Sequence, residues 1–156
     1  MATEEKKKQN MARLANLTLF GVTAGIWDFV GESSFALTGK IGDEVLKMME
    51  KEMGLEVAGE KPIDILTEIG RLFVDEYGFA GDIEVAEKDG SIIMKVSKCL
   101  NRNLSDKLTA AGVEKPFICP IMNAGLAALK RLNVKTRPGV EKWVEGKGSI
   151  ITLDLM

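Results

Sequence analysis

Residues 10 to 30 carry apolar side chains in nearly every turn and predict a first helix, with Gly21 and Gly25 four apart on one face. Small residues at that spacing let a neighbouring helix come close, within the monomer or across a dimer, and packing within the monomer is the expected use. Gly31-Glu32-Ser33-Ser34 interrupts the pattern. Helical spacing resumes from Phe35 to Met53 through Leu37, Ile41, Val45, Met48 and Met49. Gly39 and Gly42 inside this second helix cost about 1 kcal/mol each relative to alanine, which points to a crowded crossing or an interrupted start. A linker follows, through Gly59. Pro62 then suits the first turn of a third helix, whose apolar face runs from Ile63 to Tyr77 and which should stop near Gly78.

Beyond Gly78 the period drops to two. Ile83 and Val85 alternate with Glu84 and Ala86, Asp89-Gly90 forms a tight turn, and Ile92, Met94 and Val96 complete a hairpin. Helical spacing returns from Asn103, through Leu104, Leu108 and Ala111, with Gly112 as its stop. Pro120 opens a further helix to about Leu132, where Ala124, Gly125, Ala127 and Ala128 present a small surface able to lie close to a sheet or helix. Turn residues at Arg137-Pro138-Gly139 and Gly146-Lys147-Gly148 flank a short strand from Val140 to Val144, and Ile150 to Leu155 is a final strand. This order indicates an α+β domain with helices packed on a small antiparallel sheet. Residues 1–9 read as a flexible polar tail and 10–156 as a single domain.

Composition narrows the partners. A net charge of -2 supplies no long-range positive field, so nucleic acid is not expected. The run Lys6-Lys7-Lys8 follows Glu4 and Glu5 and reads as a solvated tail. Residues 14 to 30 fall short of the roughly 20 apolar residues of a membrane span and include Asn16 and Asp28, so a buried helix and no span are expected. With 2 cysteines and no export signal, the chain is expected in the cytoplasm with reduced thiols. Histidine is absent, and neither a glycine-rich phosphate loop nor a nucleotide-cofactor motif is present.

The helix containing LTGKIGDEVLKMM, the hairpin before SKCLNR, the FICPIMNAGLAAL helix opening and the terminal GSIITLDL strand together resemble the 4-vinyl reductase-like, hydrocarbon-binding domain. Its wider structural group includes subunits of the TRAPP tethering complexes. The Cys119-Pro120 start before a small-residue helix is the best single match, whereas the cysteine that family commonly carries near its final strand is missing from residues 133 to 156. The resemblance implies a ligand-binding or sensory module, a homodimer built through helices, and the adjacency of Cys99 and Cys119. Reductase chemistry does not transfer with a fold.

Candidate chemistry centres on the two cysteines. As metal ligands, Cys99 and Cys119 are an incomplete set for zinc and would need Asp, Glu or a second subunit to finish it. As a nucleophile, Cys119 gains from a helix N-terminus, but the chain offers no histidine to act as base. Burial as a structural thiol is the third reading. Lys95, Lys98 and Arg102 near Cys99 read as a solvated face, with an anion site as the alternative. Between helices and sheet, an apolar pocket would draw on Trp27, Phe35, Phe73, Met94, Cys119 and Met122, although each of these residue types more often fills a core. The leading expectation is a non-catalytic homodimer that binds an apolar small molecule. A ligand-free interaction scaffold and a cysteine-dependent metal site or enzyme are the alternatives.

Overall fold

The computed structural model describes residues 1–57 and 61–156; the end of the expected linker, at Gly59, lies outside them. Thr3 starts the first helix, α1 (Glu4–Val30), by accepting the Lys6 N–H at 3.2 Å, while Glu4 and Glu5 sit in the dipole-favoured first turn. The helix therefore begins six residues before the expected start, and the segment read as a tail is helical from Glu4 and exposed. A 3₁₀ turn (Gly31–Ala36) leads into α2 (Leu37–Met53), which ends on left-handed Gly54 (φ 69°). Pro62 opens α3 (Pro62–Asp75), as its spacing predicts.

The hairpin of β1 (Asp82–Lys88) and β2 (Ser91–Ser97) turns on Asp89 and Gly90, both with positive φ, the conformation that makes Asp-Gly a hairpin signal. Next come α4 (Arg102–Ala110), α5 (Pro120–Arg131), β3 (Thr136–Trp143) and β4 (Gly148–Leu155). The four strands are antiparallel in the order β1-β2-β4-β3. The expected turn at Arg137-Pro138-Gly139 is instead the start of β3. A proline is tolerated there because β3 is an edge strand, paired only with β4 among the described residues.

One sheet face is core. Ile92, Met94 and Val96 of β2 and Ile151 and Leu153 of β4 are buried beneath α3 and α5. Full burial of each such side chain contributes about 1.5–3 kcal/mol. Gly125 lets α5 come down on this layer, since a Cβ there would sit 3.0 Å from Leu66 Cδ2 and 3.5 Å from Leu153 Cδ1. At Gly42 the backbone of α2 crosses α5 against the Asn123 carbonyl, so the crowded crossing expected of this glycine is real. Gly39 meets no such neighbour among the described residues. The opposite sheet face carries polar rows such as Arg137, Asp154 and Ser91, joined by bonds of 3.1 and 2.8 Å.

A second, smaller cluster joins Leu104, Leu108, Val113 and Phe117 to Phe20, Ala24, Ile26, Trp27 and Phe35. It holds only the C-terminal half of α1. Met11, Leu14, Val22 and Phe29, on the opposite face of that helix, are 54–91% exposed, and no described atom beyond the local backbone of the helix itself approaches within 4 Å of a Cβ built at Gly21 or Gly25. The expectation that this apolar segment is buried within the monomer is thus overturned. Hydropathy reports that a face is apolar, not what covers it. The helical run Glu4–Met53 also contains an 18-residue window apolar and long enough for a membrane span.

Candidate functional site

Cys99 lies two residues beyond β2, where the left-handed backbone of Lys98 (φ 48°) turns the chain away from the sheet. Its N–H donates to the Lys147 carbonyl at 3.2 Å and its own carbonyl accepts the Arg102 N–H at 3.1 Å, which pins it between the β3–β4 turn and the start of α4. Cys119 is the N-cap of α5. Its carbonyl accepts the Asn123 N–H at 2.9 Å, while its side chain makes no capping hydrogen bond. Pro120 supplies the following position, where a helix needs no N–H.

Both half-buried cysteines line one cleft of about 700 Å³ between α4, the start of α5 and edge strand β3. Phe79, Leu104, Leu108, Ile118 and Val140 give it apolar walls. Across its mouth, Arg102 donates to the Gly148 carbonyl at 2.6 Å and to Asp106 at 2.7 Å, and Lys142 on β3 donates to Asp106 at 3.0 Å. Those hydrogen bonds, Lys142 first and then Arg102, hold the Asp106 carboxyl below its ordinary pKa. The Arg102 charge is therefore already committed to tying α4 to the sheet.

Burial pushes the Cys119 thiol up to about 11, overriding the Met122 and Ile121 N–H groups of the helix start that favour the thiolate, and the neighbouring Cys99 adds to the rise. Cys99 is also raised by burial, partly offset by the Asn101 N–H and the charge of Arg102. At neutral pH both are thiols, the unreactive form. The cleft floor is chemically a weakly polar, soft surface rather than an activated nucleophile.

The remaining residues proposed for an apolar pocket are dispersed. Met122 is buried and, with Phe35, lines a neighbouring cleft of about 520 Å³. Trp27 packs in the second cluster. Phe73 and Met94 belong to the main core, where the Phe73 ring centroid lies 5.6 Å from those of Tyr77 and Phe79. Phe79 is among the aromatic residues that the sequence offers for a pocket, whereas sequence reading missed Leu104, Leu108, Ile118 and Val140 as cleft walls, because their convergence depends on where α4 and β3 sit. The one local signal among these four is that Ile118 lies just before a predicted helix.

Residues 15–156 match the family described as "Putative rubredoxin C-terminal domain". An uncharacterized protein of Methanocaldococcus jannaschii is 26% identical over 106 residues, covering 66% of this chain and 61% of that protein, so the chain spans about three fifths of this relative. The fold is similar to the crystal structure of a trafficking protein particle complex subunit 3 from Naegleria fowleri covalently bound to palmitic acid, with a TM-score of 0.60, 13% identity, and 95% and 96% of the two chains covered. At that identity the likeness is one of fold, and it agrees with the TRAPP-like α+β architecture read from the sequence.

The word rubredoxin raises the question of metal. A tetrahedral thiolate centre needs four ligands, and this chain has 2 cysteines and no histidine. Among the described residues no group of three or more Cys, Asp or Glu is placed to hold an ion. The side chains of one copy do not fit such a centre.

Proposed function

This chain belongs to the rubredoxin C-terminal-domain family, and from that premise we propose a non-catalytic, cytoplasmic, homodimeric module that binds an apolar small molecule. The observation that carries this reading is the cleft of about 700 Å³ floored by Cys99 and Cys119, within the range of about 300–1,000 Å³ usual for small-molecule sites. Its apolar walls would bury a hydrocarbon, and the two protonated thiols would be compatible with one. The palmitic acid bound by the N. fowleri protein supports the same ligand class, which is also the one that the sequence's resemblance to the 4-vinyl reductase-like domain implies. The ligand set proposed is revised toward Phe79, Leu108, Ile118, Cys119 and Val140, with Phe35 and Met122 in the adjoining cleft.

The exposed face of α1 supports the dimer. Met11, Leu14, Val22 and Phe29 would be covered by a second copy, and the open Gly21 and Gly25 would admit its helix closely. Paired native and denaturing mass spectrometry of protein purified without added metal tests these points together. A dimer that releases an organic mass is the expected result. Stoichiometric zinc would move the function to the cysteines with ligands from both copies, and an empty dimer that takes up no hydrocarbon on titration would leave an interaction scaffold.

A further inference from the structure

The cleft that holds the cysteines is one segment of a longer groove. Four clefts, of about 790, 520, 700 and 470 Å³, follow one another beside β3. The first two share Phe35 and Pro138, the middle two share Glu114, Pro116 and Val140, and the last two share Cys99, Arg102, Asp106 and Lys142. Along the strand the lining passes in order from Thr136 through Pro138 and Val140 to Lys142. Register explains the continuity: Pro138 and Val140 pair with Leu153 and Ile151, so they extend the apolar face of the sheet sideways past its covered part. Eight residues of β3 at about 3.3 Å each make the groove roughly 26 Å long.

Charge is distributed unevenly along it. The segment beyond the cysteines is lined by Lys98, Arg102, Lys142 and Lys147 against Asp106 alone. Asp106 already engages Arg102 and Lys142, whereas among the described residues neither Lys98 nor Lys147 has a carboxylate within 4 Å. These two lysines are held at the same end. The Lys98 N–H donates to the Gly146 carbonyl at 2.8 Å, and the Lys147 carbonyl accepts the Cys99 N–H. The stem of Lys98 lies across Gly81, where a Cβ would come 3.0–3.4 Å from it. In the adjoining segment with Phe35 and Met122, Lys115 is paired with Glu32, Arg137 with Asp154, and Glu114 adds a carboxylate; at the far end Lys130 and Lys135 line the groove with Asp43 and, among the described residues, likewise have no carboxylate within 4 Å, so it is the larger excess of cations that distinguishes the Lys98 end.

We infer that the ligand is a long single-chain amphiphile with an anionic head, seated with its head between Lys98 and Lys147 and its tail running over Cys119 and Val140 toward Pro138. This deepens the apolar-ligand reading and rests on it. A compact apolar molecule would fill the cysteine cleft and leave the unpaired lysines idle. A long acid uses both.

Calorimetric titration of the full chain with dodecanoate, tetradecanoate and hexadecanoate, and with the methyl ester of the longest, tests it below the concentrations at which these chains form micelles. Affinity is expected to rise with each added methylene, by at most roughly fourfold. The acid should exceed its ester about tenfold, a difference that the double variant K98Q/K147Q removes while its ester binding stays unchanged. The variant K130Q/K135Q, at the other end, should bind as the wild type does. Equal binding of acid and ester, unmoved by K98Q/K147Q, overturns the head-group assignment but keeps the apolar site. An affinity that does not grow with chain length overturns the extended tail. No saturable binding of any chain by the folded wild type overturns both the inference and the function it rests on.

Discussion

At the scale of single residues, Cys119 decides which chemistry this site can support. Its position at a helix start, with the Met122 and Ile121 N–H groups favouring the thiolate, is the kind that activates thiols elsewhere, yet burial outweighs it. The sign follows from the raised pKa. An unfolded chain ionises this thiol near ~8.5, so the associated stability is fully present below that pH and is lost as pH rises toward about 11. Following thiolate ultraviolet absorbance in C99A protein should therefore give a Cys119 midpoint well above ~8.5, lowered from about 11 only by loss of the Cys99 contribution, with slow alkylation at neutral pH. A midpoint at or below ~8.5 would mean an activated thiol and would bring cysteine chemistry back. Asn123 is a second residue whose role emerges only in the fold: its side-chain N–H donates to the Phe117 carbonyl at 3.0 Å, fixing the loop that delivers Cys119 to the cleft.

Between elements, α2 crosses α5 in close backbone contact at Gly42. This contact places the first turn of α5, and Cys119 with it, under the rest of the domain. A methyl group at Gly42 would run into the Asn123 carbonyl and come 3.1 Å from Ala127 Cβ, so Gly42→Ala should destabilise by about 1–3 kcal/mol through forced separation of the helices. Gly39, one turn earlier on the same helix, has open space, and Gly39→Ala should instead stabilise by roughly 0.5–1 kcal/mol from helix propensity alone. Urea unfolding of the two variants checks the pair. Equal effects would show that the crossing is looser than the structure has it.

For the molecule as a whole, the unsettled surface is α1. Phe20, Thr23, Ala24 and Trp27 face the domain and the opposite stripe faces outward, so this helix is two-sided, with one side satisfied. Val22→Glu places a charge at the middle of the open stripe without touching the docked one. Light scattering after size exclusion should find the wild type as a dimer and V22E as a monomer with unchanged circular dichroism. A wild-type monomer, or a V22E dimer, would remove α1 as the interface. Separating this face from the groove along β3 also predicts that ligand binding survives in V22E, since the cleft walls come from α4, α5 and the sheet.

Local pattern was sufficient wherever the physics is local. The Asp89-Gly90 hairpin follows from turn sterics, the Pro62 and Pro120 helix starts from proline's missing N–H, and the α+β class from the change of hydrophobic period along the chain. The edge position that lets Pro138 sit in a strand, the α2–α5 contact that claims Gly42 but not Gly39, and the open face at Gly21 and Gly25 were decided by tertiary structure. So was the cleft. Phe73 and Met94 satisfy the same composition rule as a pocket residue and went to the core, while Val140 and Ile118 reached the cleft walls because β3 lies at the edge and α4 stops short of covering it. An apolar side chain specifies that it will leave water. Which apolar side chains meet each other, and which are left facing a gap, depends on contacts between segments far apart in the chain, and no period in the sequence records those.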